Sequence, residues 1–269
     1  MSYVSYYPNS QSTMDLPFHA FWPVYSKAMY ILARTIDGSD MNNVQALRIF
    51  INCLVNLLPN AQCRALFLDF LAMKPYVIET LRGAVPTVFR AYPWMESTLR
   101  TDAKSFHEMS LKNQDQQALF LWVYLLHAFL TAMHTQQTST DFYYAQNRQN
   151  LIPTIQELRA MYAPEKITIF DWGNAIWFIL HTTALYAPDP IQQSFTYYKT
   201  MIHALRNLLP CPKCRIHLTE NLQYIDFDRC AKTREELFKC SWKLHNIVNA
   251  SSNKRQLGLQ EAFSLYTLQ

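Results

Sequence analysis

Leu208-Leu209-Pro210-Cys211-Pro212-Lys213-Cys214-Arg215 closes one predicted helix and opens the next. Apolar residues recur at helical spacing over 190–208 and again over 212–223, and Pro210 falls in the break between them. The same period continues outward in both directions. It predicts helices over 19–35, 43–58, 61–71, 75–84, 95–109, 114–134, 153–162, 168–186, 233–250 and 257–265. Asp37-Gly38-Ser39-Asp40 and Ala187-Pro188-Asp189-Pro190 punctuate the series. No alternation of strand type extends far enough to build a sheet, so the chain reads as all-α.

Half of the 269 residues are apolar and 14% are aromatic, which is enough to bury one large or two small cores. The chain has only four glycines, and none forms a Gly-x-Gly-x-x-Gly run. A Rossmann-type nucleotide site needs such glycines for close backbone approach to phosphate, so that class is set aside. The net charge of +4 is spread along the chain without a basic block, and nucleic acid is not an expected partner. Residues 1–8 show no charged and apolar signal-peptide pattern. The most lipid-like stretch, 118–133, is too short for a membrane span and contains His127. A soluble protein that is not secreted is expected.

The opening octapeptide has a counterpart. Leu57-Leu58-Pro59-Asn60-Ala61-Gln62-Cys63-Arg64 aligns with it, with Asn60 in place of the first thiol. Phe21-Trp22 precedes Cys63 much as Asp171-Trp172 precedes Cys214, and Leu119-Phe120 stands before His127 as Leu237-Phe238 stands before His245. Three anchors in one order indicate a duplicated helical unit. The expected division is a degenerate helical domain over 1–150 that lacks the redox pair, and a second domain over 151–269. Residues 135–150, polar and weakly patterned, are the expected linker.

Cysteine usage narrows the chemistry. Six cysteines without a secretory signal favour catalytic or metal-binding thiols, and their pairing cannot be deduced from spacing. Cys211 and Cys214 sit where a helix begins, beside Lys213 and Arg215, so the dipole and the positive charge favour thiolate. A thiolate pair suits exchange. The alternative is zinc held by Cys211, Cys214, His217 and Cys230, although three of these would crowd one helical turn. Trp177 and His181 lie four residues apart, on one helix face, as do His245 and Asn249 with Trp242 a turn earlier.

In this order, Gly173, Trp177, His181, Ala184, Tyr186, Cys211-x-x-Cys214, His245-Asn246-x-Val248-Asn249 and Lys254 resemble the Erv/ALR family of FAD-dependent sulfhydryl oxidases. The resemblance covers roughly 168–257. The degenerate first copy further resembles the two-domain form found in large DNA viruses of insects, such as the baculoviruses. The resemblance implies a four-helix bundle plus a short helix, with FAD bound by Gly173, Trp177, His181, Tyr186, Trp242, His245, Asn246, Asn249 and Lys254. It implies that Cys214 lies next to the flavin and that Cys211 exchanges with substrate. Electrons would then run from protein dithiols to molecular oxygen, giving hydrogen peroxide. A homodimer is implied as well, working in the host cytoplasm or nucleus or in association with the virion.

Some positions depart from the family pattern. Cys240-Ser241-Trp242 stands where the family has Trp-x-Cys, and Asn174 stands where an arginine is common. Cys230 and Cys240 resemble the family's structural disulfide at a shorter separation, which leaves a disulfide and two buried thiols both open. Cys53 and Cys63 read as buried helix thiols, with a shuttle role as the alternative.

Overall fold

The structure is a computed structural model, and it describes residues 15–36, 40–91, 116–138 and 152–267. Its helices are α1 (Phe18–Thr35), α2 (Met41–Leu57), α3 (Ala61–Leu71), α4 (Pro75–Ala84), α5 (Pro86–Ala91), α6 (Gln116–Thr138), α7 (Ile155–Met161), α8 (Ile169–Leu185), α9 (Ile191–Leu208), α10 (Pro212–Leu222), α11 (Phe227–Cys230), α12 (Arg234–Ser251) and α13 (Leu259–Tyr266). Among the described residues there is no strand. The all-α reading therefore holds. The helix expected over 95–109 and most of the linker expected over 135–150 lie outside the described residues. Sequence periodicity missed α5, α11 and a 3₁₀ turn over Pro164–Lys166, each too short to show a period.

Local chemistry fixes the helix starts. The Thr233 hydroxyl accepts the Glu236 N–H at 3.1 Å and caps α12. Thr154 and Glu157 close a reciprocal capping box on α7. Asp171 accepts the Thr168 N–H at 3.0 Å in the first turn of α8 and pairs with Lys27. Prolines occupy the first positions of α4 and α10, where a missing N–H costs nothing.

The chain divides into two compact units, each drawn from more than one stretch. One comprises 1–24, 46–61 and 173–269, and the other 25–45 and 62–172. The units thus interleave in sequence and do not follow a single boundary near 150. In the first, α10 packs on α9 and α12, and α11 also packs on α12. In the second, α4 packs on α6, and Phe67, Phe70, Trp122 and Phe129 form an aromatic core. Burying a ring such as Phe70, at 0% exposure, stabilises the fold by roughly 2 kcal/mol.

Several helices agree in length with the duplication expected from the sequence. Helices α1, α2, α3 and α7 have 18, 17, 11 and 7 residues; their counterparts α8, α9, α10 and α13 have 17, 18, 11 and 8. Asn60 immediately precedes α3 as Cys211 immediately precedes α10. The side chains correspond too. Tyr30 hydrogen-bonds Nδ1 of His127 at 3.0 Å, as His181 does Nδ1 of His245 at 2.9 Å. Phe120 lies against Tyr30 as Phe238 lies against His181, and Tyr162 packs on Tyr30 as Tyr266 packs on His181.

Candidate active site

Cys211 and Cys214 form a disulfide with a Cα–Cα distance of 5.1 Å. Cys211 is the N-cap of α10, and its sulfur accepts the Cys214 N–H at 3.2 Å. That contact, with the positive end of the helix, stabilises charge developing on the Cys211 sulfur. Arg215 donates from Nε to the Leu209 carbonyl at 2.6 Å, tying the end of α9 to the first turn of α10. Both cysteines are half-buried, so a substrate thiol can reach them.

Helices α8 and α12 bring the two expected histidines together. Nε2 of His181 hydrogen-bonds Nδ1 of His245 at 2.9 Å, and Nδ1 of His181 hydrogen-bonds the Ser241 hydroxyl at 3.0 Å. The His245 ring stacks on Trp177, with centroids 4.0 Å apart and planes within 8°. His181 is wholly buried and His245 only partly. Burial, then the nearby His245, depresses the His181 pKa; burial, then Lys254, lowers that of His245 to about 4. Both rings are therefore neutral at physiological pH.

Trp242, Asn246, Asn249 and Lys254 hold the loop that follows α12. Trp242 donates from Nε1 to the Leu257 carbonyl at 2.8 Å. Asn246 grips the same residue twice, donating to its carbonyl at 2.8 Å and accepting its N–H at 2.9 Å. Asn249 offers its carbonyl to the Lys254 N–H at 2.8 Å, across a turn in which Asn253 takes φ 53°; asparagine tolerates that left-handed conformation. The Tyr186 hydroxyl donates to the Tyr266 carbonyl at 3.5 Å. Gly173 lies on α8 with open space beside it, since an added Cβ would meet nothing within 4 Å.

Sequence reasoning missed Ser241, Tyr266 and Leu257. Ser241 stands one helical turn before His245, and that spacing was the available signal. Tyr266 follows the predicted last helix by a single residue. Leu257 contributes only backbone groups, which no side-chain motif reveals.

The donor set suits a flavin. It combines a partly exposed indole–imidazole stack, an open helix surface at Gly173 and a cation at Lys254 on the unit that also holds the Cys211–Cys214 pair. Planar aromatic faces and neutral imidazoles match a planar ring system with hydrogen-bonding edges. The zinc alternative is not assembled. Cys230 is bonded to Cys240, with Cα atoms 5.9 Å apart, and Cys211 is bonded to Cys214. Among the described residues no group of three or more metal-binding side chains forms. Cys53 and Cys63 are buried outside any disulfide, and burial pushes the Cys53 thiol up to about 11.

A helical unit with a disulfide at a helix N-terminus and a tryptophan–histidine stack on adjoining helices defines a dithiol redox domain. Residues 174–266 match the model of the Erv1 / Alr family. A protein of Invertebrate iridescent virus 3 named as an FAD-linked sulfhydryl oxidase is 35% identical over 96 residues, covering 35% of this chain and 65% of the relative. A similarly named protein of Acanthamoeba polyphaga mimivirus is 36% identical over 94 residues, covering 34% and 66%. An FAD-linked sulfhydryl oxidase of Oryza sativa subsp. japonica is 29% identical over 89 residues, covering 33% and 45%. The matched stretch thus spans just under two thirds of the two viral relatives. No solved structure matches the chain.

Proposed function

We propose that the chain is an FAD-dependent thiol oxidase that forms disulfides in protein thiols while dioxygen is reduced to hydrogen peroxide. The observation that carries this reading is the Cys211–Cys214 disulfide at the start of α10, packed on the helix that bears His245. A substrate thiolate attacks the Cys211 sulfur, the Cys211–Cys214 bond breaks, and Cys214 leaves as thiolate. A second substrate thiolate then attacks the substrate sulfur of the mixed disulfide and releases Cys211 as thiolate. One S–S bond forms in the substrate, and two electrons remain on Cys211 and Cys214. The Cys214 N–H and the α10 N-terminus hold the charge on Cys211.

Cys214 is the thiol next to the cofactor. Trp177, His181, Tyr186, Trp242, His245, Asn246, Asn249, Lys254 and the open surface at Gly173 form the FAD site, with His181 and Asn246 acting through His245 and Leu257. Bound FAD supplies the two-electron acceptor that passes electrons to oxygen. Residues 1–150 carry no redox pair and play a non-catalytic part, and the protein works as a homodimer. Disulfide supply in the host cytoplasm or nucleus, or at the virion, for folding or assembly of viral proteins, fits the viral relatives. Among the described residues, no helix is long and apolar enough to cross a membrane.

The absorbance spectrum of the purified full-length protein tests the reading. A visible flavin band that bleaches with excess dithiol under anaerobic conditions is expected. A colourless protein carrying stoichiometric zinc would overturn it.

A further inference from the structure

The oxidase reading leaves Ser241 without a task, and a buried serine hydroxyl on a helix usually bonds back to the preceding turn. Thr182 and Thr183 do so, donating to the Phe178 and Ile179 carbonyls at 2.6 and 2.7 Å. Ser241, 1% exposed, instead sets its oxygen 3.0 Å from Nδ1 of His181. The Ser241 hydroxyl makes no other hydrogen bond with the described residues, and the fully buried Tyr198 hydroxyl makes none. Three polar groups are thus linked in sequence: Ser241, His181 and His245.

Resting on the oxidase reading, we propose that Ser241 is a positioning residue that fixes the tautomers of His181 and His245, so that His245 carries its proton on Nε2 and serves the cofactor site as a hydrogen-bond donor.

The direction follows from counting hydrogens. Nδ1 of His181 is the one acceptor that the Ser241 hydroxyl reaches among the described residues, and a buried hydroxyl hydrogen left without an acceptor is costly. The Ser241 hydrogen then goes to Nδ1 of His181. A neutral imidazole holds one proton, so that of His181 lies on Nε2 and is donated to Nδ1 of His245. The His245 proton is left on Nε2, which makes no hydrogen bond with the described residues. The opposite order would have His181 donate to Ser241 and leave the serine hydrogen without an acceptor among the described residues.

The duplicated unit gives independent support. Tyr30 stands in the place of His181, and its hydroxyl bonds Nδ1 of His127 at 3.0 Å. Nδ1 of His127 is the one acceptor that the buried, protonated Tyr30 hydroxyl reaches among the described residues, so the phenol donates there and His127 is the Nε2–H tautomer as well. The residue in the place of Ser241 is Val123, 1% exposed. A phenol has no second nitrogen to serve, and where the histidine is lost the serine is lost too.

Ring ¹⁵N NMR of histidine-labelled full-length protein, with and without FAD, tests the assignment. The expected result is Nε2–H as the sole tautomer at His245. In S241A the His181 and His245 ring signals should shift toward a tautomer mixture, and FAD should be retained about five-fold more weakly, as loss of one oriented hydrogen bond implies. S241T should restore both. An Nδ1–H tautomer at His245 in the unaltered protein, or ring signals unchanged in S241A, would overturn the proposal. Should S241A fail to fold, the unaltered protein and S241T still decide the direction. A protein that shows the expected tautomers but binds no FAD would fault the oxidase reading and leave the relay standing.

Discussion

Cys211 and Cys214 have unequal surroundings, because only Cys211 is a helix cap that accepts an N–H. Cys214→Ser is expected to abolish dithiol-dependent oxygen uptake, and Cys211→Ser to reduce it nearly as far, with FAD retained in both. Uptake at the original rate in either variant would sink the exchange scheme. These residues, with Trp177, His181 and His245, were legible in the sequence because thiol, indole and imidazole are rare and their spacing matches helix geometry. Ser241 was not legible, since a lone serine between Cys240 and Trp242 carries no pattern and acquires meaning only beside Nδ1 of His181. Asn246 was placed on the site by motif, whereas the structure has its amide engaged with the Leu257 backbone. A side chain's hydrogen-bond partner from a distant loop leaves no trace in local spacing.

Helix α12 carries four of the expected site residues, Trp242, His245, Asn246 and Asn249, and two features fix it. Thr233 caps its N-terminus, so Thr233→Ala should destabilise the protein by about 1 kcal/mol, read as a lowered midpoint of chemical unfolding. An unchanged midpoint would show that the cap contributes nothing. The Cys230–Cys240 disulfide staples α11 to α12 within one face of the unit. Replacing both cysteines with alanine should cost about 3 kcal/mol, the loop-closure entropy of so short a ring, while leaving the Cys211–Cys214 chemistry intact. Loss of thiol oxidation out of proportion to loss of folded protein would instead make this pair part of the electron path. The long amphipathic helices were readable to within a few residues. The four-residue α11 was not, although it decides how Cys230 meets Cys240.

Three histidines, His181 fully and His127 and His245 partly buried, tie the stability of the whole molecule to pH. Burial lowers His127 and His245 to about 4 and depresses His181 as well. The folded state therefore binds fewer protons than the unfolded chain, whose histidines titrate near 6.5. Their contribution is fully present above about pH 6.5 and is lost as pH falls toward 4. Urea midpoints should accordingly drop between pH 7 and pH 5, and less so in His127→Phe; equal drops in both proteins would remove His127 from the account. The compact unit that holds the cysteines also includes 15–24 and 46–61. A fragment of 151–269 should therefore fail to melt cooperatively, while the full chain does. A fragment that melts and binds FAD like the full chain would contradict this. The sequence anchors pointed to a duplication but not to the interleaving, because compactness depends on contacts between stretches that periodicity does not connect. The most direct test of the central claim is dithiol-dependent hydrogen peroxide formation by purified full-length protein. The account predicts peroxide equal to the disulfide formed and none from Cys214→Ser; disulfide formation without peroxide, or peroxide undiminished in that variant, would contradict it.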